Sequence, residues 1–197
     1  MFNDEHWVDV RRLDILGPIL LNRIEIAYLK GCDGIEFDNP DGFFNDNGFN
    51  NPLTYEQQLV FNRWLANSAH SYGMTAVLKN DISQIHELYD TFDCAVNEQC
   101  WELEECYLYW PFIDKNKAVF ETEYEVERCY YCARANMMGT SSIKKDPDLD
   151  ACRVDCSTPW SETHCDQYRQ DHNICDVRQH EPADECPTDP KDDPVCS

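Results

Sequence analysis

Short apolar strands alternating with helical stretches predict an α/β fold built on a parallel sheet. Strand-like runs recur at Gly34–Asp38, Met74–Leu78, Cys94–Asn97 and Ala118–Glu123, and residues with helical periodicity separate the first three. All four of these runs end on, or directly before, charged residues, at the strand ends where barrels and open sheets place their chemistry. The 197 residues are enough for one well-packed domain but fall short of the about 250 that a closed (β/α)8 barrel takes.

Element by element, Trp7–Val10 reads as a short strand. Gly17-Pro18 reads as the opening of a helix, because proline at the first turn loses no hydrogen bond. Ile19, Leu20, Ile24 and Ala27 recur at helical spacing and Lys30-Gly31 reads as the stop. A polar loop from Asn39 to Leu53 follows the Gly34–Asp38 strand. Thr54 with Gln57 three residues later has the form of a capping box, predicting a helix to about Tyr72 that Gly73 ends. Asp81 with Gln84 reads as a second cap before a brief helix to Tyr89. Val126–Met138 reads as a further helix broken at Gly139, and Ser141–Lys144 as a last strand.

The formal charge of −22 is spread over the whole chain. Such a surface repels phosphate backbones and anionic lipid, excluding nucleic acid and membrane as partners, and it favours a cationic ligand. Twelve cysteines are many for a cytosolic enzyme, and only Cys129 and Cys132 form a CxxC. Disulfides made in an oxidising compartment account for them more simply than a zinc module does. Yet Met1 to Asp9 carries acids and no long apolar run, so no secretory leader is expected in these residues. Six of the cysteines fall in 147–197, which reads as a cysteine-rich acidic extension, disulfide-tied or partly disordered.

Two strand ends carry the chemistry. In a strand alternate side chains share a face, so Glu36 and Asp38 point one way while Ile35 and Phe37 pack on helices. Carboxylates are costly to hide in an apolar core, which favours a functional role; the competing role is to hydrogen-bond neighbouring loops. Cys94–Asn97 likewise leads into Glu98. Glycoside cleavage needs two carboxyl groups flanking the scissile bond. Residues on different strands can supply that separation, which pairs Asp38 with Glu98 and leaves Glu36 and Asn97 in support. Lys79 occupies the equivalent place on the intervening strand, where it could orient a substrate hydroxyl or act on a carboxylate; it could also be a surface charge. Asp9 either faces the same site or pairs with Arg11. Tyr107, Tyr109 and Trp110 offer flat faces for a sugar ring. No phosphate loop, HExxH or Ser–His–Asp pattern is present.

Trp-Val-Asp-Val-Arg at 7–11, Gly-Cys-Asp-Gly-Ile-Glu-Phe-Asp-Asn at 31–39, Asn-Arg-Trp-Leu-Ala at 62–66, Leu-Lys-Asn-Asp at 78–81, Val-Asn-Glu-Gln-Cys at 96–100 and Lys-Ala-Val-Phe-Glu-Thr-Glu-Tyr at 117–124 keep their order across most of the chain. In these stretches it resembles glycoside hydrolase family 114. The resemblance implies an exported endo-α-1,4-polygalactosaminidase with a (β/α)8 barrel, no metal or organic cofactor, and a cationic galactosamine-containing polysaccharide as its partner, with no obligate protein partner. It also implies that Asp38 and Glu98 are the catalytic carboxylates, with Glu98 as nucleophile and Asp38 as general acid/base. Glu36, Asn97, Lys79, Asp9, Tyr107 and Trp110 would then line or support the substrate cleft, with retention at the anomeric carbon. The chain departs from the family pattern at Phe37, where proline is usual, and at Pro40, where it is not. Relatives carry about three further strands before the position of Trp7. The expectation is therefore a partial (β/α)8 TIM-type barrel lacking its leading strands over 1–146, with the extension over 147–197. The competing expectation is a truncated relative that retains carbohydrate binding alone.

Overall fold

The computed structural model describes residues 6–126, 128–149 and 153–157. They fall into two compact units, one running through Glu121 and the other beginning at Thr122. The first unit contains helix α1 (Leu13–Leu29), strand β1 (Gly34–Phe37), helix α2 (Tyr55–Ser71), strand β2 (Thr75–Lys79), short helix α3 (Ile85–Leu88), strand β3 (Cys94–Glu98) and helix α4 (Trp110–Asp114), and strand β4 (Val119–Glu123) spans the boundary. β1, β2 and β3 are parallel neighbours. Ala95 N donates to Ala118 O at 3.0 Å, which brings the chain entering β4 alongside β3. Alternating strands and helices in this arrangement are those of an incomplete (β/α)8 barrel. Among the described residues no helix is long and apolar enough to cross a membrane.

The second unit holds helix α5 (Arg128–Met138) and strands β5 (Ser141–Lys145) and β6 (Arg153–Asp155), which pair antiparallel. A disulfide joins Cys132 to Cys156, and Asn136 Nδ2 donates to the Cys156 carbonyl at 3.2 Å, so helix and hairpin are tied together. Most of the extension expected over 147–197 lies outside the described residues.

The helix α2 forms where its local signals place it. Thr54 Oγ1 accepts from Gln57 N while Gln57 Oε1 accepts from Thr54 N, closing the capping box. Its inward stripe buries Phe61, Leu65, Ala66 and Ala69. Phe61 and Leu65 join Val10 and Leu53 in a core cluster against which Leu13, Leu16, Leu20, Phe37 and Trp64 pack.

Three expectations are corrected. Helix α1 begins at Leu13, so Pro18 lies inside it and removes one interior hydrogen bond instead of opening it. Trp7–Val10 is not a strand: Arg12 N donates to Asp9 O at 2.9 Å, turning the chain directly into α1. Asp81 caps nothing, since its backbone is left-handed at φ 45° and its side chain makes no capping bond.

The two faces of the first unit's sheet differ. Ala76, Leu78, Ala95 and Asn97 are buried, and they alternate with half-buried Val77, Val96 and Glu98. Glu36 and Asp38 are exposed where Ile35 and Phe37 are half-buried. One face thus packs under helices, while the other carries Glu36, Asp38, Lys79 and Glu98 toward the side that is a barrel's interior.

Candidate active site

The register of the sheet brings the three charged strand ends together. Phe37 lies opposite Leu78, and Lys79 lies opposite Val96. Asp38 therefore follows β1 at the level of Lys79, and Glu98 is two residues further along β3 on the same face. The Lys79 side chain runs between them. Its Nζ lies 3.1 Å from Asp38 Oδ1 and 2.9 Å from Glu98 Oε2. Those two oxygens are consequently no more than about 6 Å apart, below the roughly 6.5–9.5 Å separation of inverting glycosidases.

Burial divides the trio. The Lys79 side chain is 10% exposed, Glu98 33% and Asp38 60%. Burial opposes the charge on Lys79, but hydrogen bonds to Glu98 and Asp38 outweigh it and raise the ammonium's pKa above its ordinary value. Stability from this pairing is fully present below the unfolded lysine value and is lost only as pH rises through the higher folded one.

Each member is followed by a residue with left-handed backbone: Asn39 at φ 50°, Asn80 at 52° and Gln99 at 68°. The strand stops there and the chain turns away, leaving the charged side chain at the rim. Such conformations cost free energy for non-glycine residues, least for Asn, and persist where surroundings hold them. At Asn80 the holding groups are visible. Asn80 Oδ1 accepts from Glu98 N at 2.9 Å and from Asn97 Nδ2 at 3.2 Å, and the Asn80 carbonyl accepts from Tyr109 Oη at 3.3 Å. Asn97 Nδ2 also donates to Tyr109 Oη at 3.1 Å, and its Oδ1 accepts from Cys100 N at 2.9 Å. The Cys100–Cys106 disulfide closes the turn beyond. A buried lattice thus anchors the backbone of Glu98 to the loop after Lys79.

Among the other residues singled out from the sequence, Glu36 shares the exposed face with Asp38. Asn97 faces the opposite way from Glu98 and is 1% exposed, so its carboxamide organises the turn and does not open into the cleft. Asp9 is held by Arg11: the guanidinium Nε and a terminal nitrogen reach its two oxygens at 2.7 and 3.0 Å. This hydrogen-bonded pairing keeps the carboxyl below its usual range. Tyr107 and Trp110 are exposed, while Tyr109 between them is wholly buried. Asn80 and Tyr109 matter more to the site than the pattern suggested. The signal for Asn80 was available, since asparagine after a strand is the side chain that best tolerates a left-handed turn. Cys100 and Cys106 are joined to each other, so neither offers a thiolate to a metal.

The model described as glycoside-hydrolase family GH114 matches residues 1–160. Among solved structures, the crystal structure of Aspergillus fumigatus Ega3 in complex with galactosamine superposes with a TM-score of 0.71 at 31% sequence identity, covering 79% of this chain and 67% of that one. A search of curated proteins finds no match.

Proposed function

Because the chain belongs to glycoside-hydrolase family GH114, we propose that it carries the paired-carboxylate centre of an endo-acting hydrolase of α-1,4-linked galactosamine polymers. The observation that supports this reading best is the single ammonium shared by Asp38 and Glu98, which holds one oxygen of each no more than about 6 Å from the other, closer to the roughly 5–5.5 Å of retaining enzymes than to the wider spacing of inverting ones. Glu98 is the more enclosed of the two and its backbone is fixed by Asn80, which suits a nucleophile attacking the anomeric carbon. Asp38 is the more exposed, which suits an acid that protonates the leaving oxygen and then deprotonates the incoming water. Galactosamine units carry ammonium groups, so a surface at −22 attracts the polymer.

A second reading, binding without turnover, is favoured by the outer edge of β1. Among the described residues that strand has a partner on one side alone, β2. Release of reducing ends from deacetylated α-1,4-galactosamine polymer by the oxidatively folded chain separates the two. Turnover is expected; a folded chain that binds the polymer by calorimetry but releases none would establish binding alone.

Lys79→Met tests the shared ammonium. The variant is expected to lose about 10²-fold in kcat/KM, the scale of removing one preorganised electrostatic group. Its melting temperature should change little, because Asp38 and Glu98 remain partly solvated once the lysine is gone. An unchanged rate would remove Lys79 from the machinery.

A further inference from the structure

The middle of α2 holds a polar cluster that an amphipathic helix has no need of. Asn62 is wholly buried. Its Nδ2 donates to the Pro40 carbonyl at 2.8 Å and to Asp81 Oδ2 at 2.8 Å, with Gln84 Oε1 at 3.3 Å. Its Oδ1 accepts from Gln58 Nε2 at 2.9 Å, and Gln84 Nε2 donates onward to the Tyr55 carbonyl at 2.8 Å. The two strongest acceptors occupy matching places in two different loops. Pro40 is two residues beyond Asp38, and Asp81 is two residues beyond Lys79. In each loop a left-handed residue, Asn39 or Asn80, lies between. One carboxamide therefore clamps two loops at the same distance past their functional side chains. A leucine here would bury more favourably than an amide whose desolvation must be offset bond by bond.

We propose that Asn62 is a positioning residue, which locks the loop after Asp38 to the loop after Lys79 and so sets how Asp38 meets the Lys79–Glu98 pair. This rests on the reading of Asp38 and Glu98 as the reacting carboxylates. Asn62 touches no substrate; it acts through Pro40 and Asp81. Displacing a reacting group by about 1 Å from a remote position costs on the order of 10²-fold in rate.

The test compares wild type, Asn62→Leu and a control cavity variant, Leu88→Ala, which removes a wholly buried side chain of α3 that has no part in the cluster. Two quantities are read: steady-state hydrolysis of the deacetylated polymer, and the 15N-edited signal of the Lys79 ammonium, whose protons exchange slowly while both carboxylates hold them. For Asn62→Leu the expected result is a kcat lower by about 10²-fold with KM changed by less than about threefold, and a broadened or lost Lys79 signal. Leu88→Ala should keep both near wild type. An Asn62→Leu enzyme whose kcat falls no further than that of Leu88→Ala, with the Lys79 signal intact, overturns the proposal. If wild type itself releases no reducing ends, the hydrolase reading fails, and the Lys79 signal alone decides: retained in Asn62→Leu it overturns the clamp, lost it upholds it. Should the leucine variant not fold, Asn62→Ser, which shortens the side chain beyond reach of both loops, is read in the same way.

Discussion

Asp38→Asn and Glu98→Gln are each expected to lower hydrolysis by about 10²–10⁴-fold or more, the scale of losing a positioned proton donor or the nucleophile itself. Both substitutions keep volume and shape, and both side chains are partly exposed, so folding should be little affected. The two losses should differ in kind. With Glu98 shortened instead to alanine (Glu98→Ala), added azide can fill the vacated space and attack the anomeric carbon of an aryl α-galactosaminide directly, giving an azide of inverted configuration. With Asp38 replaced, Glu98 still displaces the aryl group, and azide then opens the intermediate from the opposite side with net retention. Proton NMR of the anomeric position reads the outcome. Retention from Glu98→Ala together with inversion from Asp38→Asn would exchange the two roles; full turnover by both Glu98→Gln and Asp38→Asn would sink the pairing altogether.

Raising pH from 5 to 8 is expected to lower the melting temperature through Asp81, and Asp81→Asn is expected to remove that slope. Asp81 is 2% exposed, and its Oδ1 is buried without a hydrogen-bond partner among the described residues. Burial, followed by repulsion from Asp41, pushes its pKa up from 3.8 to about 8, against the opposing hydrogen bond from Asn62. Asp41 is itself raised, chiefly by burial. A carboxyl whose folded pKa lies above its unfolded value binds its proton more tightly when folded. Its contribution to stability is therefore fully present below about pH 4 and is lost as pH rises through about 8. Asparagine keeps an oxygen for the Asn62 amide, carries no charge, and tolerates the left-handed backbone at this position. At pH 8 the variant should melt several degrees higher than wild type, since each kcal/mol shifts a chain of this size by about 2–4 °C. A thermal scan series giving parallel slopes for the two proteins would show that Asp81 is ionised throughout.

What could be foreseen followed the range of the interactions. The capping box at Thr54 and Gln57 and the stop at Gly73 are local, and α2 lies where they place it. The alternation at Glu36 and Asp38 and the position of Glu98 beyond Asn97 were also legible, because side-chain direction in a strand follows from parity alone. Pro18 misled, since proline marks a first turn only when nothing upstream is already helical, and Leu13–Gly17 is. Asp81 and Gln84 have the form of a cap, but Asn62, nineteen residues earlier, claims the Asp81 carboxylate. Asp9 was foreseen as a site residue or as the partner of Arg11, and the guanidinium, reaching both carboxylate oxygens, makes the pair. Tyr109 could not be told from Tyr107 and Trp110 by composition. Only the fold shows which of three neighbouring aromatics turns inward.

The left-handed residues that close β1, β2 and β3 have a consequence for mutational tolerance. At position 38, 79 or 98 a replacement changes chemistry and leaves the backbone as it was. At 39, 80 or 99 a β-branched replacement meets a backbone region nearly closed to it, so the strand must end elsewhere and the preceding charged group swings with it. A scan of all substitutions should therefore find a second row of sensitive positions, one residue downstream of the charged row. In that row asparagine is tolerated while valine and isoleucine are not, and glycine is tolerated at 39 and 99 but not at 80, where it would remove the carboxamide that holds Glu98 N.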